Sequence, residues 1–160
     1  MTQRVVIVPC SGIGKSYGTV AREGAYVVTE DLRPDTTQLI PLSLLVLGDE
    51  QAHADVVGAP SITIDGCKLA CATKMVTESG GTVAHDPSAP LRASLAVLDV
   101  YRRHRDLKPA GIAELNEGGQ KLAQALAEEV VTLVDALSTA DSLPLSQNDG
   151  GGAGDGGQNA

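Results

Sequence analysis

Three cysteines, Cys10, Cys67 and Cys71, offer the chemistry most open to argument in this 160-residue chain. Cys10 follows the apolar run Val5-Val6-Ile7-Val8, and Cys67 follows the shorter run Ile62-Thr63-Ile64. Each run reads as a buried strand, and each cysteine opens a turn that leads into a helix. Ligands of an open parallel sheet bind outside the carboxyl ends of its strands, so two strands of one such sheet would place Cys10 and Cys67 on a common edge. Cys71, one helical turn after Cys67, would then point the same way. Thiolates are favoured at helix N-termini, and zinc takes thiolates in a four-ligand tetrahedron. Three sulfurs leave a position for water, substrate, His53 or His85, and His85, at the end of a predicted strand, is the better histidine candidate. A metal-free alternative makes Cys10 a reactive thiol, with Cys67 or Cys71 resolving it. The bland reading is that cysteine packs as a small hydrophobe. The spacing Cys67-x-x-x-Cys71 is also looser than that of a usual zinc knuckle.

The loop after the first run reads Pro9-Cys10-Ser11-Gly12-Ile13-Gly14-Lys15-Ser16. Its end matches the last three positions of a nucleotide-phosphate loop, but Pro9 stands where the first glycine belongs and lacks a backbone donor. A phosphatase-type loop fits no better, because Lys15 falls one position too early and replaces a guanidinium fork by a point charge. A broader reading survives. Gly12, Gly14, Lys15 and Ser16, at a helix N-terminus, form a candidate nest for an anion; the alternative is that the glycines only shape a tight turn. Asp65 is either a cap or turn residue or a partner that orients a ligand or holds Lys68. Lys15 and Lys68 either favour nearby thiolates or are solvated. His53 lies in a polar, acidic stretch that reads as exposed, and His104 sits in the short basic cluster Arg102-Arg103-His104-Arg105.

The elements that must position these residues follow from periodicity and turn signals. Helices are expected from Ser16 to about Val28, over Leu39 to Leu47 with Pro41 in the first turn, over Asp49 to Val57, and from Cys67 to Ser79, stopped by Gly80-Gly81. Thr82 to His85 and Leu95 to Val100 read as further strands. Pro109 to Leu137 reads as helical with a break at Gly118-Gly119. Leu122, Leu126, Val130, Leu133 and Leu137 share one face of it, as docking requires. Alternating strands and helices predict an α/β fold: a mostly parallel sheet flanked by helices, in a Rossmann-like three-layer domain. Residues 1–140 read as one domain, and the Gly-rich 141–160 as a disordered tail.

Composition narrows the function. The core must be aliphatic, since there is no Phe or Trp and only three Tyr. A net charge of −8 argues against nucleic acid, whose phosphates call for clustered Lys and Arg. No segment is apolar and long enough to cross a bilayer, and the N-terminal apolar run is too short for a secretory signal. A cytoplasmic setting is therefore expected, in which cysteines stay reduced and serve as thiolates or metal ligands rather than as a structural disulfide.

From Val5 to Asp99 the chain resembles the DGC-domain proteins, named for the motif seen here as Asp65-Gly66-Cys67. The resemblance rests on Pro9-Cys10-Ser11-Gly12-Ile13-Gly14-Lys15, on Leu44-Leu45-Val46-Leu47-Gly48-Asp49-Glu50, and on Ile64-Asp65-Gly66-Cys67-Lys68-Leu69-Ala70-Cys71-Ala72. Zinc binding is attributed to that family on the strength of four cysteines, with no biological role established. The resemblance implies Cys10, Cys67 and Cys71 as ligands. It places the fourth cysteine near Ile40 to Leu42, where this chain has none. That departure implies an open site, a histidine substitute, or a member that has lost the metal.

Overall fold

The structure, a computed structural model, describes residues 3–81, 83 and 94–140. Four strands form one all-parallel sheet: β1 (Val5–Pro9), β2 (Thr37–Leu39), β3 (Ser61–Asp65) and β4 (Ser94–Ala96), in the order β2-β1-β3-β4. Val5 pairs with Thr37 on one side of β1, and Pro9 pairs with Ile64 on the other. Alternation along β1 feeds two cores. Val5 and Ile7 face helices α1 (Ser16–Tyr26), α5 (Val97–Arg103) and α6 (Glu117–Ala140); Val6 and Val8 face α2 (Leu42–Leu47), α3 (Glu50–Gly58) and α4 (Cys71–Glu78). A run buried on both faces is what a central parallel strand requires. The result is the three-layer α/β arrangement expected from the sequence.

The layering decides where a ligand belongs. The chain leaves β1 for the α1 face and leaves β3 for the α4 face, and these two strands are neighbours. Their carboxyl ends therefore form the topological switch point, the crevice where open α/β sheets bind ligands. Cys10 immediately follows β1, and Cys67 follows β3 by two residues.

Helix α6 supplies much of the larger core. Leu122, Leu126, Val130 and Leu133 are buried, with Leu137 packed partly against them. Each such side chain contributes roughly 1.5–3 kcal/mol of transfer free energy. Leu126 reaches the backbone of α1 because Gly24 stands there; a β-carbon on Gly24 would lie 2.8 Å from Leu126 Cδ2. Gly118 and Gly119 lie inside the first turn of α6 and do not break it. The residues from Pro109 to Asn116 are not helical. Asn116 holds that segment, its side chain accepting from the Ala110 and Gly119 amides and donating to the Lys108 carbonyl.

Three other expectations are corrected. Leu39 to Leu47 is not one helix: Leu39 ends β2, whose three residues pair with Val5, Val6 and Ile7, and α2 starts only after Pro41. Leu95 to Val100 is not one strand: pairing with β3 ends at Ala96, and Val97 begins α5. Helix α1 runs past Val28 as a π-helical turn, Val27–Leu32, with the Arg33 amide donating to the Val28 carbonyl at 2.7 Å. Of the predicted strand Thr82 to His85, Val83 forms a parallel bridge to Ser61. Its other residues, His85 included, and the segment 141–160 lie outside the described residues.

Candidate functional site

The Cys10 loop is joined directly to the neighbouring strand. The Cys10 amide donates to the Ile64 carbonyl at 2.8 Å, extending the β1–β3 ladder to the edge. The chain then turns through Gly12 and Gly14, at φ +78° and +83°, before α1 starts at Ser16. These glycines differ in purpose. A β-carbon on Gly14 would meet open space, whereas one on Gly12 would lie 2.9 Å from the Gly18 carbonyl oxygen. Gly12 is thus a packing residue. Gly14, Lys15 and Ser16 are brought together at the open N-terminus of α1, where with Tyr17, Pro109 and Ile112 they line a cavity of about 350 Å³.

The Cys67 loop closes on the same helix turn. A β-carbon on Gly66 would lie 2.7 Å from both Cα and N of Gly18, and one on Gly18 would lie 2.6 Å from Gly12 Cα. Gly12, Gly18 and Gly66 therefore meet backbone to backbone. This contact clamps the Cys10 loop and the Cys67 loop to the start of α1 from two sides. Glycine in a helix and beside a strand end marks such close approach.

Cys67 itself does not open a helix, contrary to the sequence expectation. Residues 66–70 form a turn, with the Ala70 amide donating to the Cys67 carbonyl at 3.1 Å and Ala70 in the left-handed region at φ +51°. Helix α4 begins at Cys71 because Asp65 fixes its start. One Asp65 oxygen accepts from the Ala72 amide at 2.8 Å; the other accepts from the Thr73 hydroxyl at 2.6 Å and the Thr73 amide at 3.4 Å. Cys71 is consequently the first helical residue and is exposed, while Cys67 and Cys10 are half-buried. The relation of one helical turn between Cys67 and Cys71 does not exist.

The three letters of the motif thus divide the work. Asp65, only 4% exposed, caps the helix that carries Cys71. Gly66 permits the backbone approach to Gly18. Neither task involves the Cys67 thiol, which is left for other chemistry. Lys68 is exposed and has no carboxylate partner among the described residues, so Asp65 does not hold it. Thr73 extends the cap, with its hydroxyl also 2.7 Å from that of Thr63 and 3.0 Å from that of Ser94.

The histidines fall elsewhere. His53 is half-buried rather than exposed, its Nε2 lying 3.0 Å from the Leu45 carbonyl and tying α3 to α2. His104 terminates α5. Among the described residues no three of His, Cys, Asp or Glu form a group that could hold a metal ion. The donor chemistry suits a soft metal: three free cysteines, Cys10 and Cys67 on loops that spring from adjacent strand ends and Cys71 opening α4. A ready-made cage is not part of that arrangement.

Two residues of the edge were not singled out from sequence. Arg22 and Tyr26 of α1 line a cavity of about 250 Å³ together with Cys10, Ile13, Leu39 and Pro41. The signal was present: Gly18, Arg22 and Tyr26 recur at intervals of four and share a helix face.

The fold and site define a doubly wound parallel α/β domain in which Cys10 and Cys67 follow the two switch-point strands and Cys71 opens the next helix. The model of the DGC domain matches residues 6–90, more than half of the chain, and the chain belongs to that family. The match spans β1 to α4 and includes all three cysteines. No curated protein and no solved structure matches the chain.

Proposed function

We propose that this chain is a cytoplasmic zinc-binding protein whose metal ligands are Cys10, Cys67 and Cys71. The observation that supports this most is the glycine clamp, which anchors the loops of Cys10 and Cys67 to one turn of α1 at the switch point. Zinc, when bound, would act there as a Lewis acid with a position open to a fourth donor. His85 is the protein candidate for that donor. The chain's own contribution is positional. Asp65 fixes the first turn of α4, at whose N-terminus Cys71 stands. Because the three cysteines form no ready group among the described residues, gathering them around one ion costs ordering and lowers affinity. The net charge of −8 supports a partner other than nucleic acid, and no described helix is long and apolar enough to cross a bilayer.

Metal content after purification under reducing conditions without chelator tests the proposal. About one zinc per chain, lost in Cys67→Ser, supports it. No metal in the wild type and no uptake on adding zinc contradicts it. A second reading, a metal-free reactive thiol at Cys10, draws on a separate observation: Cys10 lines a cavity that Cys67 and Cys71 do not. Residue-resolved alkylation against pH separates the two. An ordinary thiol profile at Cys10 counts against the reactive-thiol reading.

A further inference from the structure

The cavity beside Cys10 lies on the β2 side of β1, and neither Cys67 nor Cys71 lines it. Its walls are mostly apolar: Ile13, Leu39, Pro41 and the ring of Tyr26 surround the Cys10 thiol and the Arg22 side chain. No Asp or Glu lines it.

Arg22 stands apart from the other arginines of this acidic chain. Arg33 meets Asp135 at 2.8 Å, Arg102 meets Asp99 at 2.8 Å, and Arg103 meets Glu129 at 2.6 Å. Those side chains are 36%, 60% and 52% exposed. Arg22 is only 29% exposed, yet its sole ion pair among the described residues is a loose one, Nε to Glu23 Oε1 at 3.6 Å. Neither of its terminal nitrogens has a hydrogen-bond partner among the described residues. Nη1 is held over the Gly12 turn, 3.3 Å from where a β-carbon would sit. Among these four arginines the one most withdrawn from water is thus the one without a close carboxylate. A planar guanidinium whose terminal donors meet no acceptor among the described residues, at an apolar cavity, matches a carboxylate, which it can bind through two parallel bonds.

We infer that this cavity binds a small organic carboxylate, its anionic head on Arg22 and its short apolar body against Ile13, Leu39, Pro41 and Tyr26, beside the Cys10 thiol. The volume suits a ligand of few non-hydrogen atoms rather than a nucleotide. The inference does not depend on a metal at the three cysteines.

Two alkylating reagents of nearly the same size test it: iodoacetate, a carboxylate, and iodoacetamide, its neutral counterpart. The thiolate attacks the methylene carbon of both and displaces iodide, so the ratio of their rates at one cysteine cancels the thiolate fraction. The ratio is read at each cysteine by peptide mass spectrometry, on protein as purified and after chelator treatment, so that any metal effect is separated. Cys71 is a stringent internal standard, because its helix N-terminus also favours anions. The expected iodoacetate-to-iodoacetamide ratio at Cys10 exceeds that at Cys71 about tenfold, in line with a charge-assisted pair. In Arg22→Gln it falls to the Cys71 level while the other two cysteines are unchanged. Butyrate is expected to protect Cys10 from both reagents, saturably, and to leave Cys71 alone. Equal ratios at Cys10 and Cys71 in the wild type, or no butyrate protection, would overturn the inference. Both readings need only the wild type, so they stand even if the variant fails to fold.

Discussion

At the scale of single residues, the edge is organised by contacts with no room for a side chain. Gly18 shows this by sign. Replacing a helical glycine with alanine ordinarily stabilises by about 1 kcal/mol. Here the new methyl group would lie 2.6 Å from Gly12 Cα. Gly18→Ala is therefore expected to cost about 2–3 kcal/mol, as overpacking does. Gly14→Ala, with a similar left-handed neighbour but open space around its β-carbon, should cost only about 1 kcal/mol from its positive φ. Urea unfolding of both variants checks the contrast, and equal effects would refute the clamp. Asp65 carries a second expectation. Asp65→Ala leaves the Ala72 amide without its acceptor and removes the acceptor of the Thr73 hydroxyl. The expected loss is about 2–3 kcal/mol, with Asp65→Asn losing less because an acceptor remains. If Asp65→Ala unfolds like the wild type, the cap is not what fixes the start of α4.

At the scale of elements, the end of β2 and the start of α2 deserve a direct test. Pro41 precedes α2, is exposed, makes no side-chain cap, and lines the cavity that Cys10 shares. Pro41→Cys would add a fourth thiol to the same edge. Its zinc affinity, read by competition with a chromophoric chelator, is expected to rise at least about tenfold over the wild type, since zinc prefers four protein donors in a closed site. No change would mean that β2 does not contribute to the thiol edge. The far end of α1 offers a pH test. Arg33, just after the π-helical turn, donates two hydrogen bonds to Asp135 of α6, each 2.8 Å. Those bonds, and then the Coulomb attraction of Arg33, hold the Asp135 carboxyl below the usual aspartate range against the opposing effect of burial. A lowered folded-state value means that the pair contributes fully above the ordinary aspartate range. The contribution is lost as the pH falls through the lowered value. The stability gap between the wild type and Asp135→Asn should thus be modest and salt-sensitive at neutral pH, since the pair is largely exposed, and should close in acid. A gap that stays constant with pH would contradict the assignment.

How much of this was legible in the chain also depends on the element. β1, β3 and the buried face of α6 could be read directly from their apolar patterns, and α3 from its start at Asp49 and its stop at Gly58-Ala59-Pro60. β2 could not: Thr37-Gln38-Leu39 has no apolar run, and its strand character comes from pairing with β1. Cys67 was placed on a helix because nothing local shows that Asp65 reaches forward to the amides of Ala72 and Thr73. That choice depends on a cap formed across seven and eight residues. The shared edge of Cys10 and Cys67 was legible from strand logic alone. The glycine clamp and the loosely paired Arg22 emerge only when α1 is folded over both loops.

On the scale of the whole molecule, topology does what no single motif does. The order β2-β1-β3-β4 makes the β1/β3 boundary the switch point, and two of the three cysteines leave the sheet there. The larger core runs from Val5 to Val134, so helices beyond the residues matched by the family model help to hold the scaffold under the site. What joins the thiols functionally is the proposed ion. X-ray absorption at the zinc edge on protein reconstituted with one equivalent of zinc tests this most directly. The expected result is a shell of three sulfur ligands at about 2.3 Å with one lighter donor. A shell of nitrogen and oxygen alone, or one sulfur only, would show that Cys10, Cys67 and Cys71 do not share a metal.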